Sequence, residues 1–253
     1  MNENYSQNPN LETIKNANGM SVTIMDWGAT IISLNVPVKG DSNREVVLGL
    51  KDPKDWYTHA RFFNATIGRF ANRIANSQFT IDKTTYVLNS GSTHCLHGGV
   101  DGFDKRRFKL VDKSENSLTY TLHSPDKDMG FPGNFDLTVV YTVTEDNELV
   151  ISYVGKCDQK TYACITNHAY FNLNGKNSSV LNHSVQIDSD YYLPLDKDSI
   201  PTGEKRKVDG GAFDFRQEKT LARDFRRDPQ MEAALGYDHP FLIKGDLNKA
   251  FIK

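Results

Sequence analysis

Apolar and polar residues alternate with a period of two along most of the chain. The alternation is clearest in residues 135–143, where Phe, Leu, Val, Tyr and Val occupy every second position, and it resumes in residues 149–153 after a polar turn. Successive side chains of a strand point to opposite faces, so this pattern predicts half-buried strands. The same pattern occurs in residues 32–38, 79–88, 118–122, 185–187 and 191–193.

Helical periodicity is nearly absent. The best candidate is the stretch 221–235, which Pro229 interrupts, so we expect two short helical turns there at most. Many short strands joined by Gly, Pro, Asn and Asp turns indicate an all-β antiparallel sandwich or barrel. Neither a repeat nor a linker divides residues 1–253, which predicts a single domain. Residues 236–243 have the pattern of a new strand shortly before the last residue, Lys253.

Composition narrows the function classes. The net charge of -2 with 25% charged residues provides no basic surface for nucleic acid. No apolar run has the length of a membrane span, and the first residues lack the features of a signal peptide. The cysteines (Cys95, Cys157 and Cys164) are odd in number, and their spacings match neither a disulfide framework nor a metal site. We therefore expect them to be reduced thiols. We therefore expect a cytoplasmic protein that acts on a small molecule; the sequence does not indicate its oligomeric state.

The first candidate site is the stretch 166–173, which places His168 among amides, a hydroxyl and two aromatic rings. A lone histidine beside apolar residues is commonly a packed structural residue. Here Asn167 and Asn172, which are poor strand formers, flank it, and such residues tend to lie where side chains meet a polar group. An imidazole with an ordinary pKa of about 6.5 serves as acid or base near neutral pH. We therefore predict a catalytic role for His168.

A second histidine segment covers residues 94–105, in which His97 precedes Gly98 and Gly99. Glycines allow a backbone to approach a ligand closely. His94 and His97 have a spacing that could chelate a metal, but the sequence offers no third ligand at a recognisable spacing, so no metal is expected. With His168, this segment predicts a polar cleft with two proton carriers.

Two further segments carry candidate binding groups. Asn72 lies between Arg69 and Arg73, and a guanidinium presents a fork of donors that suits vicinal hydroxyls; two surface arginines are the alternative. Asp238 precedes His239 and Pro240, and it is either a sugar-binding carboxylate or part of a turn.

Together these segments resemble the aldose 1-epimerase (galactose mutarotase) family. The resemblance rests on IGRFANRIA at 67–75, LHGGVDGFDK at 96–105 and TNHAYFNL at 166–173, with shorter matches at 193–194, 200–204, 213–214 and 236–239. It extends from about Gly28 to the last residue, in the order in which the family has these motifs.

The resemblance implies a large antiparallel β-sandwich and an isomerase that interconverts the α and β anomers of hexoses such as galactose and glucose, without a cofactor. It implies that His168 is the general acid that protonates the ring oxygen, and that His97 assists beside it. Asn72, Arg73 and Asp238 match the positions that hold sugar hydroxyls.

The resemblance also implies a departure from the family pattern. Members of the family continue past the position of Lys253 with further strands, which include a glutamate that acts as base on the C1 hydroxyl. We therefore expect an incomplete C-terminus, with those strands missing. Two alternatives to a working mutarotase stay open: a non-catalytic sugar-binding or sensing protein, and an enzyme for a phosphorylated hexose that uses Lys105, Arg106 and Arg107.

Overall fold

Short antiparallel strands make up most of the regular structure in the computed structural model, which describes residues 8–40, 42–58, 62–175 and 178–245. This confirms the expected all-β architecture. The chain divides into two units, Met1–Asn177 and Ser178–Lys253. The single domain expected over residues 1–253 stays a prediction.

The described part of the first unit contains fourteen of the strands. They are β1 (Leu11–Lys15), β2 (Ser21–Met25), β3 (Thr30–Val36), β4 (Arg44–Glu45), β5 (Thr66–Ile67), β6 (Arg73–Ile74), β7 (Gln78–Ile81), β8 (Thr84–Val87), β9 (Cys95–Leu96), β10 (Lys109–Lys113), β11 (Ser117–Ser124), β12 (Phe135–Val143), β13 (Leu149–Cys157) and β14 (Thr166–Asn167). Strands β1 to β4 form one four-stranded sheet in sequence order, and β10 to β13 form another. The remaining strands of the unit pair two by two, as β7–β8, β6–β9 and β5–β14.

The two four-stranded sheets share one hydrophobic core, as a sandwich requires. Apolar residues of β1 to β3 pack with every second residue of β11 and β12 in a single buried cluster. Its fully buried members include Ile14, Ile24, Ile31, Leu118, Val139 and Tyr141.

The strands β12 and β13 follow the sequence pattern closely. They pair antiparallel from Phe135 opposite Cys157 to Val143 opposite Leu149. In β12 every second residue from Phe135 to Val143 is buried, and the intervening residues are half-buried or exposed. The period-two prediction is therefore confirmed for this hairpin, and the β7–β8 hairpin, with its turn at Asp82 and Lys83, confirms it for residues 79–88.

The second unit is smaller. Its described residues form β15 (Ser184–Val185), β16 (Ser189–Tyr192), β17 (Arg206–Lys207), β18 (Lys219–Thr220), β19 (Phe241–Ile243) and the helix α1 (Gln230–Ala234). Strand β16 lies between β17 and β19, and β15 pairs with β18. The predicted late strand is thus present as β19, which adds to this three-stranded sheet.

The helical prediction is confirmed as well. A single 3₁₀ turn covers Leu221–Arg223, and α1 is five residues long, with Pro229 just before it. None of the helices in the part of the chain that the structure describes has the length and hydropathy of a membrane span.

Candidate active site

Two short strand pairs of the first unit carry the two predicted histidines. His168 follows β14, which pairs with β5, and His97 follows β9, which pairs with β6. The strands β5 and β6 are separated by only five residues along the chain, from Gly68 to Asn72. This short connection brings the ends of both pairs, and so both histidines, to the same place.

The two imidazoles are in contact. Their ring centroids lie 5.1 Å apart with an interplanar angle of 85°. Phe62 packs against both, with centroid distances of 4.6 Å to His97 and 6.0 Å to His168. The ring centroid of Tyr170 lies 5.1 Å from that of His168. The structure therefore brings the two histidine segments together and lines them with aromatic rings.

His97 is held by a reciprocal pair of hydrogen bonds with Asn72. The backbone N–H of Asn72 donates to Nδ1 of His97 over 3.0 Å, and the backbone N–H of His97 donates to the carbonyl of Asn72 over 3.1 Å. Both residues have positive φ, 53° for His97 and 65° for Asn72. Because Nδ1 accepts, the proton of the neutral ring is assigned to Nε2, which is left as a donor.

The pKa of His97 is lowered to about 4. Removal of the ring from water is the largest cause, followed by the nearby His168 and by the positive charge of Arg73. All three disfavour an imidazolium. His97 is therefore neutral at physiological pH, and it presents a hydrogen-bond donor.

His168 is positioned through Asn64, a buried residue whose role the sequence analysis missed. The backbone N–H of Asn64 donates to the carbonyl of His168 over 2.9 Å. The side chain of Asn64 accepts from the Tyr170 N–H over 2.9 Å and donates to the Leu48 carbonyl over 2.7 Å. An asparagine inside the apolar run 62–67 is the one signal that could have indicated this role, because a buried amide needs partners.

Asn72 and Arg73 lie at the same place as His97. The Asn72 side chain is exposed, and its Oδ1 accepts a long hydrogen bond of 3.4 Å from Arg73 Nη1. Arg73 begins β6 and is half-buried. Both side chains therefore present polar groups beside the imidazole pair, as a site for hydroxyls requires.

The sequence left two interpretations of Arg69, a group that binds hydroxyls or a surface arginine, and its environment in the structure matches neither. It is 2% exposed, so it neither lines an open site nor belongs to a solvated surface. Its guanidinium donates to backbone carbonyls and a hydroxyl and lies over two aromatic rings; the partners are Pro132, Gly133, Ser124, Phe131 and Phe135. Arg69 is thus a structural residue behind the site.

The glycines after His97 are required by the protein backbone itself. Gly98 has a φ of 92°, and a Cβ on it would lie 1.9 Å from the Gly68 carbonyl oxygen. The close approach expected from this sequence is therefore one between two segments of the chain, 68–69 and 98. It fixes the His97 loop against the segment that leads to Asn72.

His94 and His97 do not form a chelating pair through Nδ1. Nδ1 of His94 accepts from the Asn76 N–H over 3.0 Å, just as Nδ1 of His97 accepts from Asn72. Within the ranges that the structure describes, no group of three or more His, Cys, Asp or Glu side chains is arranged to hold a metal ion.

The basic cluster 105–107 is largely neutralised by neighbouring acids. Arg106 pairs with Asp128 at 2.8 Å, and Arg107 pairs with Asp26 at 2.5 Å. Nζ of Lys105 donates to the Val100 carbonyl. This arrangement offers little free positive charge for a phosphorylated hexose.

Asp238 belongs to the second unit, where its side chain is exposed and its backbone N–H lies 3.4 Å from Nδ1 of His239. His239 is buried, and burial lowers its pKa. The role expected for Asp238 in holding a sugar hydroxyl stays a prediction.

Comparisons with known proteins show which family the chain is similar to. The family model for aldose 1-epimerase matches residues 11–253. The aldose 1-epimerase of Escherichia coli K12 is 45% identical over 242 residues, which cover 94% of this chain and 70% of that protein. The galactose mutarotase of Bos taurus is 39% identical over 92% of this chain and 67% of its own length.

Solved structures show the same similarity. An aldose epimerase homologue from C. elegans superimposes with a TM-score of 0.88 at 31% identity, over 97% of this chain and 74% of that one. A galactose 1-epimerase from Lactobacillus acidophilus gives a TM-score of 0.84 at 26% identity, over 97% of this chain and 76% of its own. The first of these likenesses confirms the β-sandwich that the sequence resemblance implied.

Proposed function

Because the chain belongs to the aldose 1-epimerase family, a family of isomerases, we propose that it interconverts the α and β anomers of aldohexoses such as galactose and glucose. The observation that carries this proposal is the contact between His97 and His168, whose rings lie 5.1 Å apart. One of the two is held neutral as a donor. Two imidazoles so arranged can bind one oxygen atom of a sugar ring and exchange a proton with it.

The reaction begins with ring opening. A base takes the proton from the C1 hydroxyl, the electron pair of that O–H bond forms the C1 carbonyl, and the C1–O5 bond breaks. Protonated His168 gives its proton to O5, which becomes a hydroxyl. The role of acid falls to His168 because the environment of His97 disfavours an imidazolium.

Ring closure reverses these steps on the other face. After rotation about the C1–C2 bond, O5 attacks the carbonyl and returns its proton to His168, while the C1 oxygen recovers the proton that the base had taken. Atoms and charges balance, so the cycle consumes no co-reactant. The acceptor of the C1 proton is not among the residues to which the proposal assigns a role.

The remaining residues bind the substrate in this proposal. Nε2–H of His97 donates a hydrogen bond beside the ring oxygen, which stabilises negative charge as it develops there. Asn72 and Arg73 offer amide and guanidinium groups to the hydroxyls. Tyr170, packed against His168, provides a flat apolar face of the kind that sugar C–H groups contact.

The test is polarimetric mutarotation of freshly dissolved α-galactose by the purified chain and two variants. We expect His168→Ala to lower the catalysed rate by on the order of 10²–10⁴, the typical contribution of one positioned acid or base. The matched control is His123→Ala, because His123 lies on β11 with its side chain 58% exposed. That variant should retain the wild-type rate.

Calorimetric titration with galactose completes the test. His168→Ala should still bind galactose, because in this proposal other residues, among them Asn72 and Arg73, bind the hydroxyls of the sugar. Equal rates for wild type and His168→Ala would contradict the assigned role. Galactose binding by the wild type with a rate equal to that of buffer would replace the enzyme with the sugar-binding alternative.

A further inference from the structure

Phe62 is in contact with both histidines of the site. Its ring makes an edge contact with His97 and is stacked with His168. It also lines a cavity of about 100 Å³, whose lining includes Trp27 and Trp56 but neither histidine. Phe62 is therefore a residue that contacts both imidazoles and also lines this cavity.

The backbone of Phe62 is in a conformation that bulky residues rarely adopt. Its φ is 62°, in the left-handed region, and its carbonyl accepts from the Ala65 N–H over 3.2 Å to close a tight turn. Asn64, in the same turn, is the residue that bonds to the His168 carbonyl. Unfavourable backbone conformations of this kind persist where the surrounding structure imposes them, and they are concentrated at functional sites.

We propose that Phe62 is a positioning residue of the site, whose ring fixes the spacing of His97 and His168 and excludes water from His97, so that His97 stays a neutral donor while His168 exchanges the proton. The assignment of roles to the histidines rests on the proposed function; the exclusion of water from His97 does not.

The charged groups around His97 lower its pKa, as burial does. His168 and Arg73 both disfavour protonation of His97. Nζ of Lys105 lies 5.8 Å from the centroid of the Phe62 ring, so a third positive group faces the shielding ring. Without the ring, water would solvate an imidazolium at His97 and screen these charges. Burial is the largest of the causes that lower the pKa of His97, which makes the ring the natural target for a test.

The experiment replaces Phe62 by Asn and follows the His97 ring by NMR across the pH range, beside the pH dependence of mutarotation. Asn tolerates positive φ, so Phe62→Asn retains the turn and removes only the apolar ring. We expect the pKa of His97 to rise from about 4 towards its ordinary value of 6.5. The acid limb of the rate profile should move to higher pH with it, and kcat should fall more than KM rises.

Two further variants serve as controls. Tyr162→Asn removes an aromatic ring that is 46% exposed and contacts Phe70 and Phe79, and it should leave both the titration and the pH profile unchanged. Phe62→Leu retains an apolar side chain, so the pKa of His97 should change less than in Phe62→Asn. It also provides the test if the Asn variant fails to fold.

An unchanged His97 titration in both Phe62 variants would overturn the proposal. A His97 titration that moves without any change in the rate profile would also overturn it, because the shielding would then have no part in the reaction. If the wild type shows no mutarotation while the titration moves, the proposed function fails and the shielding by Phe62 stands on its own.

Discussion

The sheet β10–β13 and the loops around the histidines are built by different means, although both belong to the first unit. In the sheet, backbone ladders satisfy the polar groups, and buried positions are apolar. In the loops, two buried polar side chains, Asn64 and Arg69, satisfy the backbone. Several residues other than glycine there have positive φ, among them Phe62, Asn72 and His97.

Because of this difference, substitutions in the two regions should affect stability and catalytic rate differently. A sheet face tolerates many apolar side chains of suitable size, because its hydrogen bonds are made by the backbone. A loop held by a few side-chain hydrogen bonds depends on each of them, because a lost partner leaves a buried group unsatisfied. We therefore expect substitutions in the sheet to change stability alone, and substitutions of the buried loop residues to change stability and rate together.

The largest effect should come from Arg69→Met. The substitution removes a buried guanidinium and leaves the carbonyls of Ser124, Pro132 and Gly133 without their donor. We expect the free energy of unfolding to fall by about 3–5 kcal/mol, as measured by urea denaturation.

The matched control for Arg69→Met is Arg73→Met, four residues along the same segment. Arg73 is half-buried, with Asn72 as its side-chain hydrogen-bond partner, so stability should change by less than about 1 kcal/mol. Its effect should instead be a higher KM for galactose. Equal losses of stability in the two variants would remove the distinction between a structural and a substrate-binding arginine.

Leu137→Ala tests the sheet. Leu137 lies on β12, is 1% exposed and belongs to the core shared by the two four-stranded sheets. Removing a buried leucine side chain typically costs about 2–5 kcal/mol, and we expect about 3 kcal/mol here. Polarimetry well below the unfolding temperature should give the wild-type kcat. A kcat reduced tenfold in a folded Leu137→Ala protein would show that the site depends on the sheet core as directly as on its own loops.

The same contrast explains how much of the fold the sequence could predict. The alternation of residues 135–143 and 149–153 depends only on which face of a strand is buried, and the hairpin β12–β13 follows it residue by residue. The short helical turns near Pro229 were predictable for a similarly local reason. Strands of two residues, such as β5, β6, β9 and β14, have no periodicity to detect, and yet they carry the site.

The sequence could indicate which residues form the candidate site, but not which residues hold them in place. The motifs identified His97, His168, Asn72 and Arg73, and the structure brings these four together in the first unit. The contacts of Asn64 and Phe62 depend on segments that are distant in sequence, which no local pattern encodes. The two arginines of the 67–75 motif look equivalent in sequence, and only burial distinguishes Arg69 from Arg73.

Asn64→Ala tests the loops more gently than Arg69→Met. The variant loses the acceptor for the Tyr170 N–H and the donor to the Leu48 carbonyl, and it places Ala at a φ of 55°. We expect a loss of about 2–3 kcal/mol in the free energy of unfolding. Because Asn64 also holds the segment of His168, kcat should fall by about tenfold or more.

The control for Asn64→Ala is Asn147→Ala, in the turn between β12 and β13. Asn147 has a φ of 60°, and its Oδ1 accepts a hydrogen bond from Asn16 over 2.7 Å, so Asn147→Ala combines the same backbone penalty with the loss of a hydrogen bond, outside the site. We expect a cost of about 1–3 kcal/mol and an unchanged kcat. A kcat that falls equally in both variants would show that backbone strain, rather than the hydrogen bonds of Asn64, determines the rate.

The smallest effect should be a gain in stability, from Asp104→Asn. Asp104 follows Gly102 and Phe103 in the His97 loop, is 7% exposed, and has one carboxylate oxygen without a hydrogen-bond partner. Burial raises the pKa of Asp104 from 3.8 to about 6, with Lys105 opposing the shift. The folded state thus binds this proton more tightly than the unfolded state does. The resulting stabilisation is complete below pH 3.8 and is lost as the pH rises through about 6.

At neutral pH the buried side chain of wild-type Asp104 is therefore charged, whereas an asparagine side chain at this position would be neutral. We expect Asp104→Asn to raise the free energy of unfolding by about 1–2 kcal/mol at neutral pH, because the new amide leaves part of its own hydrogen bonding unmet. The gain should disappear below pH 3.8.

His97 acts in the opposite sense, since its lowered pKa reduces stability as the pH falls from 6.5 to about 4. This contribution is the same in both proteins, so the difference between their urea-denaturation curves at each pH isolates Asp104. A pH-independent difference would contradict a charged, buried Asp104.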